Sequence, residues 1–217
     1  MRVVIAGGHG KIALRLTALL ARRGDTVIGL VRNPDHVEDV RAAGGDAVVL
    51  DLEQADADQV AAAIAGADAV VFAAGAGPGS GVARKDTVDR AASVLLADAA
   101  ETAGVRRYLQ VSSIGIDRAE DPNTDEVFAA YLRAKGAADD DLMARGLEWT
   151  VLRPGRLTDD PGTGQVALAE RVSRGAVTRD DVASVLVGLL DRSSTARRVL
   201  ELVNGDVSID RALAELA

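Results

Sequence analysis

The sequence predicts an α/β fold, a doubly wound and mostly parallel sheet in the order 3-2-1-4-5-6-7 with helices on both faces. Short apolar runs alternate with amphipathic stretches along the whole chain, the pattern of strands joined by crossover helices. Glycine, asparagine or aspartate separates most of these segments. Hydrophobic residues make up 48% of the chain and aromatics 2%, so small aliphatics dominate, as helices packed closely on a sheet require. The 217 residues suffice for one such domain, expected over 1–217, and are too few for a second.

Val3-Val4-Ile5-Ala6 is continuously apolar, as a buried parallel strand should be. Gly7-Gly8-His9-Gly10 follows as a turn and opens a helix with Ile12, Leu16, Leu19 and Leu20 on one face. Arg22-Arg23-Gly24 reads as a basic last turn and a glycine cap. The second strand is Thr26 to Val31. Asn33-Pro34 caps a short helix ending near Gly44-Gly45, and Ala47 to Leu50 is the third strand. A helix from about Asp56 to Ala65 leads to a fourth strand, Ala69 to Ala73. Right-handed crossovers then give the order 3-2-1-4, with ligands at the carboxyl ends of strands one and four.

The segment 76–85 is rich in glycine and reads as a mobile flap or a plain surface loop. A helix from about Thr87 to Ala103, a fifth strand from Arg107 to Val111 and a polar loop within 116–123 come next. Thr124 reads as the cap of a helix running to about Arg145, and Leu147 to Leu152 is the sixth strand. The stretch 154–178 is expected as substrate-side loop. Thr178-Arg179-Asp180-Asp181 has the form of a capping box before a helix with Val182, Val185, Leu186 and Leu189 on its apolar face. The last strand, Val199 to Val203, precedes a closing helix from Ser208 to Leu216.

Composition narrows the function classes. Without cysteine there is no disulfide, thiol nucleophile or thiolate metal site, and two histidines do not make a metal centre alone. A net charge of −8 opposes attraction to nucleic acid or anionic membrane. The first strand begins at Arg2, leaving no room for a signal peptide, and no uncharged apolar run approaches spanning length. The expectation is a cytoplasmic protein, monomer or homodimer, with a small-molecule substrate and neither nucleic acid nor membrane as partner.

The glycine turn carries specific chemistry. Gly7 lets the chain reverse, Gly10 leaves room for a pyrophosphate, and Ala13 permits close packing of helix on strand. Free N–H groups of the first helical turn then face the anion. An ordinary glycine-rich turn between two core elements is the alternative. His9 is expected to serve through its backbone. In such folds an acid just past the second strand binds the ribose 2′-hydroxyl of NAD; here the positions read Val31-Arg32-Asn33. Arg32 would pair with a 2′-phosphate, favouring NADP(H) with NAD(H) second, or else is a solvated surface charge.

Tyr131 and Lys135 lie four residues apart on the fifth helix and share a face. With two tyrosines and only three lysines among 25 basic residues, an accidental Tyr-x-x-x-Lys is improbable. A free phenol, with a pKa of about 10, is a poor acid at neutral pH, and a lysine within about 4–6 Å would favour its ionised form. Ser113, at the end of the fifth strand, would donate to the same substrate oxygen. The bland alternatives are a half-buried tyrosine, a solvated lysine and a strand-end serine.

Taken together, Gly7-Gly8-His9-Gly10-Lys11-Ile12-Ala13, Val31-Arg32-Asn33, Asp51-Leu52, Ala73-Ala74-Gly75, Val111-Ser112-Ser113, Tyr131-x-x-x-Lys135 and Arg153-Pro154-Gly155 resemble the short-chain dehydrogenase/reductase superfamily, in its small atypical NAD(P)-binding branch. The resemblance spans the whole chain and implies a Rossmann-type fold. It implies that the glycine turn with His9, Lys11 and Ile12 holds the pyrophosphate. Asp51 and Leu52 would surround the adenine, and Ala73, Ala74 and Gly75 the adenosine ribose. Tyr131 and Lys135 would meet the nicotinamide ribose, with Ser112 and Pro154 completing the cofactor set. The implied activity is hydride transfer between NADP(H) and a small carbonyl or alcohol, with Tyr131 as general acid/base. A non-catalytic NADP(H) sensor resembling the NmrA-like branch, a flavin or quinone reductase, and an epimerase or dehydratase are the alternatives.

Overall fold

The computed structural model describes residues 1–77 and 79–216; Pro78, within the segment expected as flap or loop, and Ala217 lie outside them. The strands and helices begin with β1 (Arg2–Ala6), α1 (Lys11–Arg23), β2 (Thr26–Val31), α2 (Val37–Ala42), β3 (Asp46–Val49), α3 (Ala57–Ile64) and β4 (Ala69–Phe72). They continue with α4 (Val82–Arg84), α5 (Ala92–Ala103), β5 (Arg107–Val111), α6 (Glu126–Met143), β6 (Glu148–Pro154), β7 (Arg156–Thr158), β8 (Gln165–Ala169) and β9 (Ala176–Thr178). The last are α7 (Arg179–Leu190), β10 (Arg198–Asn204), β11 (Val207–Ser208) and α8 (Ile209–Ala214).

The strands β3-β2-β1-β4-β5-β6-β10 lie parallel in that order. This is the Rossmann-type order expected, with β10 as the seventh strand. β1 lies inside the sheet between β2 and β4, and its run of Val3, Val4, Ile5 and Ala6 is buried on both faces, the environment of a strand covered by helices on either side. On one face α1, α7 and α8 close a core through Leu16, Leu20, Val182, Leu186 and Leu213. On the other, α3, α5 and α6 pack Ile64, Leu96 and Leu142 against Phe72, Tyr108 and Trp149.

Four differences from the sequence reading bear on the site. The stretch 154–178, expected as loop, holds β7, β8 and β9. β8 extends the sheet antiparallel to β10, and β7 pairs with β9 as a separate two-stranded ribbon. Asp181 organises this region from α7: its carboxylate accepts from the Thr163 and Gly164 N–H groups at 2.9 and 2.8 Å. Only half of the expected capping box forms, since Thr178 Oγ1 accepts from the Asp181 N–H at 3.0 Å while the acid points away. The helix expected from Thr87 begins at α4 and passes through a π-helical turn, Lys85–Ala91. That wider turn buries Lys85 and Asp89, and such turns recur where side chains are re-aimed into a site. Asp125 rather than Thr124 caps α6, accepting from the Phe128 N–H at 3.0 Å.

No helix among the described residues is long and apolar enough to cross a membrane.

Candidate active site

The carboxyl ends of β1 and β4 flank the point where strand order reverses, the place where such sheets take ligands. At the end of β1, Gly7 adopts φ +77°, and a Cβ there would stand 2.6 Å from the Ala74 Cα. Gly8 lies against Gly29 of β2, 2.5 Å from where its own Cβ would be. Both side chains must be hydrogen for the turn to nest between β2 and the end of β4. The turn closes through the Gly10 N–H on the Gly7 carbonyl at 2.8 Å. Gly10 then caps α1 without any side-chain acceptor for the first-turn N–H groups, so those donors remain available to an anion. The turn thereby fits a dinucleotide pyrophosphate.

Two cavities meet here. The first, about 300 Å³, is lined by Gly7, His9 and Gly10 of the turn, by Arg32, Asp51 and Leu52, and by Ala73 to Ala76. The second, about 700 Å³, shares the wall Ala73 to Ala76 and continues to Ile12, Ser112, Tyr131 and Lys135. The sequence-derived cofactor and catalytic residues therefore gather on one continuous surface, with three exceptions. Lys11 lines neither cavity and donates to Asp159 at 2.6 Å. Pro154 ends β6 away from both cavities, its carbonyl accepting from the Ile114 N–H at 3.0 Å. Ser113 also lines neither, and its hydroxyl donates to the adjacent Ile114 carbonyl at 3.3 Å.

The serine at the cavity floor is Ser112, buried, with its hydroxyl on Asp139 at 2.8 Å. Asp139 also accepts from Gln110 at 2.7 Å and from the Arg153 guanidinium at 2.9 and 3.0 Å. Burial pushes its carboxyl above the ordinary range, against the pull of Arg153 and of the Gln110 and Ser112 donors.

Tyr131 is half-buried on α6 and stacks on Phe128, ring centroids 5.9 Å apart. Its hydroxyl makes no hydrogen bond among the described residues. Tyr108, the other tyrosine, is fully buried with its hydroxyl on the Ser93 carbonyl, and burial holds its phenol far above the usual range. Lys135 is buried, and its ammonium lies 3.1 Å from the Val111 carbonyl, 3.4 Å from that of Ala74 and 3.3 Å from Asp89 Oδ1. Only the two carbonyls are hydrogen-bonded; Asp89 Oδ1 meets the ammonium as an ion pair and has no hydrogen-bond partner among the described residues.

Several residues here carry no motif. Asp89 joins Lys135 to the glycine-rich segment through the Ala76 N–H at 3.2 Å. Lys85 donates to the Gly77 carbonyl at 2.9 Å and lies 5.5 Å from the Tyr131 ring centroid. At the other end Glu53, His36 and Arg84 join the first cavity, and the imidazoles of His9 and His36 stack with centroids 3.6 Å apart. The one signal for Asp89 was an acid on the helix face that Ala92, Ser93, Leu96 and Ala100 turn to the core.

Residues 7–193 match a protein family described as NAD(P)H-binding. The chain belongs to that family. It is 36% identical, over all of both chains, to a Bacillus subtilis (strain 168) protein named as an uncharacterized sugar epimerase, YhfK. A solved Bacillus halodurans structure bearing the name NAD-dependent epimerase/dehydratase superposes with a TM-score of 0.92 at 34% identity, covering 99% of each chain. The structure of the Lactococcus lactis oxidoreductase ylbE gives 0.87 at 28% identity, covering 100% of this chain and 96% of that one. The glycine turn, the parallel order and the family together make this an NAD(P)H-binding fold of the kind shared by reductases and epimerase-like proteins.

Proposed function

We propose that the chain is an NADP(H)-dependent oxidoreductase of the short-chain dehydrogenase/reductase type, acting on a small carbonyl or alcohol. The observation that carries the reading is the shared wall Ala73 to Ala76, which joins the glycine-turn cavity to the one holding Tyr131, Lys135 and Ser112. A dinucleotide with its pyrophosphate at the turn and its adenosine in the first cavity would have its nicotinamide end in the second, beside Tyr131 and Lys135. When bound, the nicotinamide supplies or accepts the hydride at the substrate carbon.

The residues then have separable tasks. Tyr131 gives its hydroxyl proton to the carbonyl oxygen as the carbon is reduced, and the resulting phenolate is reprotonated from solvent; oxidation runs the same proton backwards. Lys135 holds the ribose side of the site and orients the phenol. Ser113 is the proposed donor to the substrate oxygen; its side chain lines neither cavity, so this role requires it to leave the Ile114 carbonyl and turn toward Tyr131. Phe128, Val127 and Leu157 give the second cavity an apolar wall against which the substrate carbon would lie.

The test is NADPH oxidation across a panel of aldehydes and ketones, followed by nicotinamide absorbance. Firmly bound NADPH that no carbonyl oxidises would sink the reading. The name of the Bacillus subtilis relative favours a second one, in which the hydride returns to the same sugar carbon. It predicts turnover of a nucleotide sugar with no net NADP⁺.

Cofactor preference is tested separately. Arg32, at the rim of the first cavity, is proposed to meet the 2′-phosphate of NADP(H). Arg32→Ala is expected to weaken NADPH binding about tenfold, the order of one charge-assisted contact, with little effect on NADH. Tighter binding of NADH than NADPH by the unmodified protein would overturn the preference.

A further inference from the structure

An acid reaches Arg32 after all, from a different strand. Glu53, in the loop after β3, points into the first cavity with its side chain 19% exposed. Its Oε2 accepts from Arg32 at 3.1 Å and from Arg84 at 2.7 Å, and its Oε1 accepts from the Thr87 hydroxyl at 2.7 Å. The Glu53 N–H donates to Asp51 Oδ1 at 3.0 Å, which fixes the loop beneath the carboxylate. Three chain segments, following β2, β3 and β4, thus place two guanidiniums on one carboxylate at the cavity wall.

We infer that Arg84 is a second seat for the 2′-phosphate beside Arg32, and that Glu53 is the acid that limits the preference for NADP(H) over NAD(H). The inference rests on the nucleotide reading proposed above. Each guanidinium carries five N–H donors, and the bonds to Glu53 occupy one on each, leaving others for phosphate oxygens. The two arginines attract the dianion that distinguishes NADPH from NADH. Glu53 both shares their donors and repels that dianion. A 2′-hydroxyl feels almost none of this repulsion and accepts or donates to the same groups. The three charges together therefore act on the difference between the two nucleotides far more than on their common part. The other titratable groups lining this cavity are His9, paired with Asp39 at 2.7 Å, His36 stacked on it, and Asp51.

Dissociation constants for NADPH and NADH, measured by fluorescence titration of the full chain at fixed ionic strength, test the inference. Glu53→Gln keeps the shape and removes the charge; it is expected to tighten NADPH about tenfold and to change NADH by no more than about twofold. Arg84→Gln is expected to weaken NADPH about tenfold with NADH nearly unchanged. Thr87→Val cuts one tie to Glu53 without altering charge and should leave the NADPH/NADH ratio within about twofold of the unmodified protein. A ratio that Glu53→Gln leaves in place or moves toward NADH overturns the inference, as does Arg84→Gln weakening both nucleotides alike. So does Thr87→Val moving the ratio as far as Glu53→Gln, since helix position would then be the cause. A chain that binds neither nucleotide overturns the underlying reading as well; one that binds both with an insensitive ratio overturns this inference alone.

Discussion

Tyr131→Phe is expected to lower turnover on any carbonyl that the protein reduces by two to four orders of magnitude, roughly the contribution of a positioned proton donor. NADPH affinity should stay within about twofold. The two effects separate because of how the residue is held. The ring is fixed by the α6 backbone and by its stack on Phe128, both of which phenylalanine keeps. The hydroxyl bonds to no described residue, so its loss leaves no buried group unpaired and costs little in folding. Tyr108 offers no substitute, being sealed in the core with its hydroxyl on a backbone carbonyl. Single-turnover reduction and fluorescence binding of NADPH on the same preparation provide the check. A variant that reduces carbonyls as fast as the parent would move the proton to another donor, with Ser113 or a water the next candidates.

How much of this was legible in the sequence differs by element, for physical reasons. The strand order followed from alternation, which calls for parallel strands joined by crossovers, together with the right-handedness of those crossovers and the dinucleotide pattern of the glycine turn. The glycine turn was legible because sterics forbid side chains at Gly7 and Gly8, where Ala74 and Gly29 stand 2.6 and 2.5 Å from the place of a Cβ. The ribbon strands β7 and β9 were not legible. Each has three residues, too few to show a period, and each is held by pairing rather than by its own apolar pattern. The same limit applies to charges. Arg32 was read correctly as a cation at the end of β2 with no acid beside it in sequence. Glu53 reaches it only because β3 lies next to β2, and Arg84 reaches Glu53 only because the segment after β4 folds back over both. The absence of a nearby acid in the chain therefore said nothing about an acid nearby in space. Lys85 fell within the glycine-rich segment read before the helix, and Asp89, on the same helical face as Ala92, Ser93 and Leu96, was legible as buried but not as facing Lys135, which a different helix supplies.

Lys135→Met should cost roughly 3–5 kcal/mol of folding stability, the usual penalty for removing one partner of a buried ion pair, in addition to abolishing turnover. The pair is sealed: the Lys135 side chain is 5% exposed and that of Asp89 1%, with 3.3 Å between nitrogen and oxygen. Removing the lysine strands the carboxylate in the protein interior and also leaves the Val111 carbonyl without its 3.1 Å donor. The double variant Lys135→Met/Asp89→Asn removes the stranded charge, while the asparagine carbonyl can still accept the Ala76 N–H that Asp89 holds at 3.2 Å. It should regain at least half of the lost stability and none of the turnover. Denaturant unfolding of the parent and the two variants measures the first part, and NADPH oxidation the second. A single variant as stable as the parent would show that the pair contributes nothing to the fold, and lysine at this position would then be explained by chemistry alone. Recovery of turnover in the double variant would show the reverse, that the lysine serves only to neutralise Asp89 and that the phenol works without it. Between these outcomes lies a third, in which one buried ammonium is tied to the glycine-rich segment through Asp89 and to the end of β4 through the Ala74 carbonyl, and is proposed to meet the ribose as well, so that loss of fold and loss of activity share a cause but respond differently to repair.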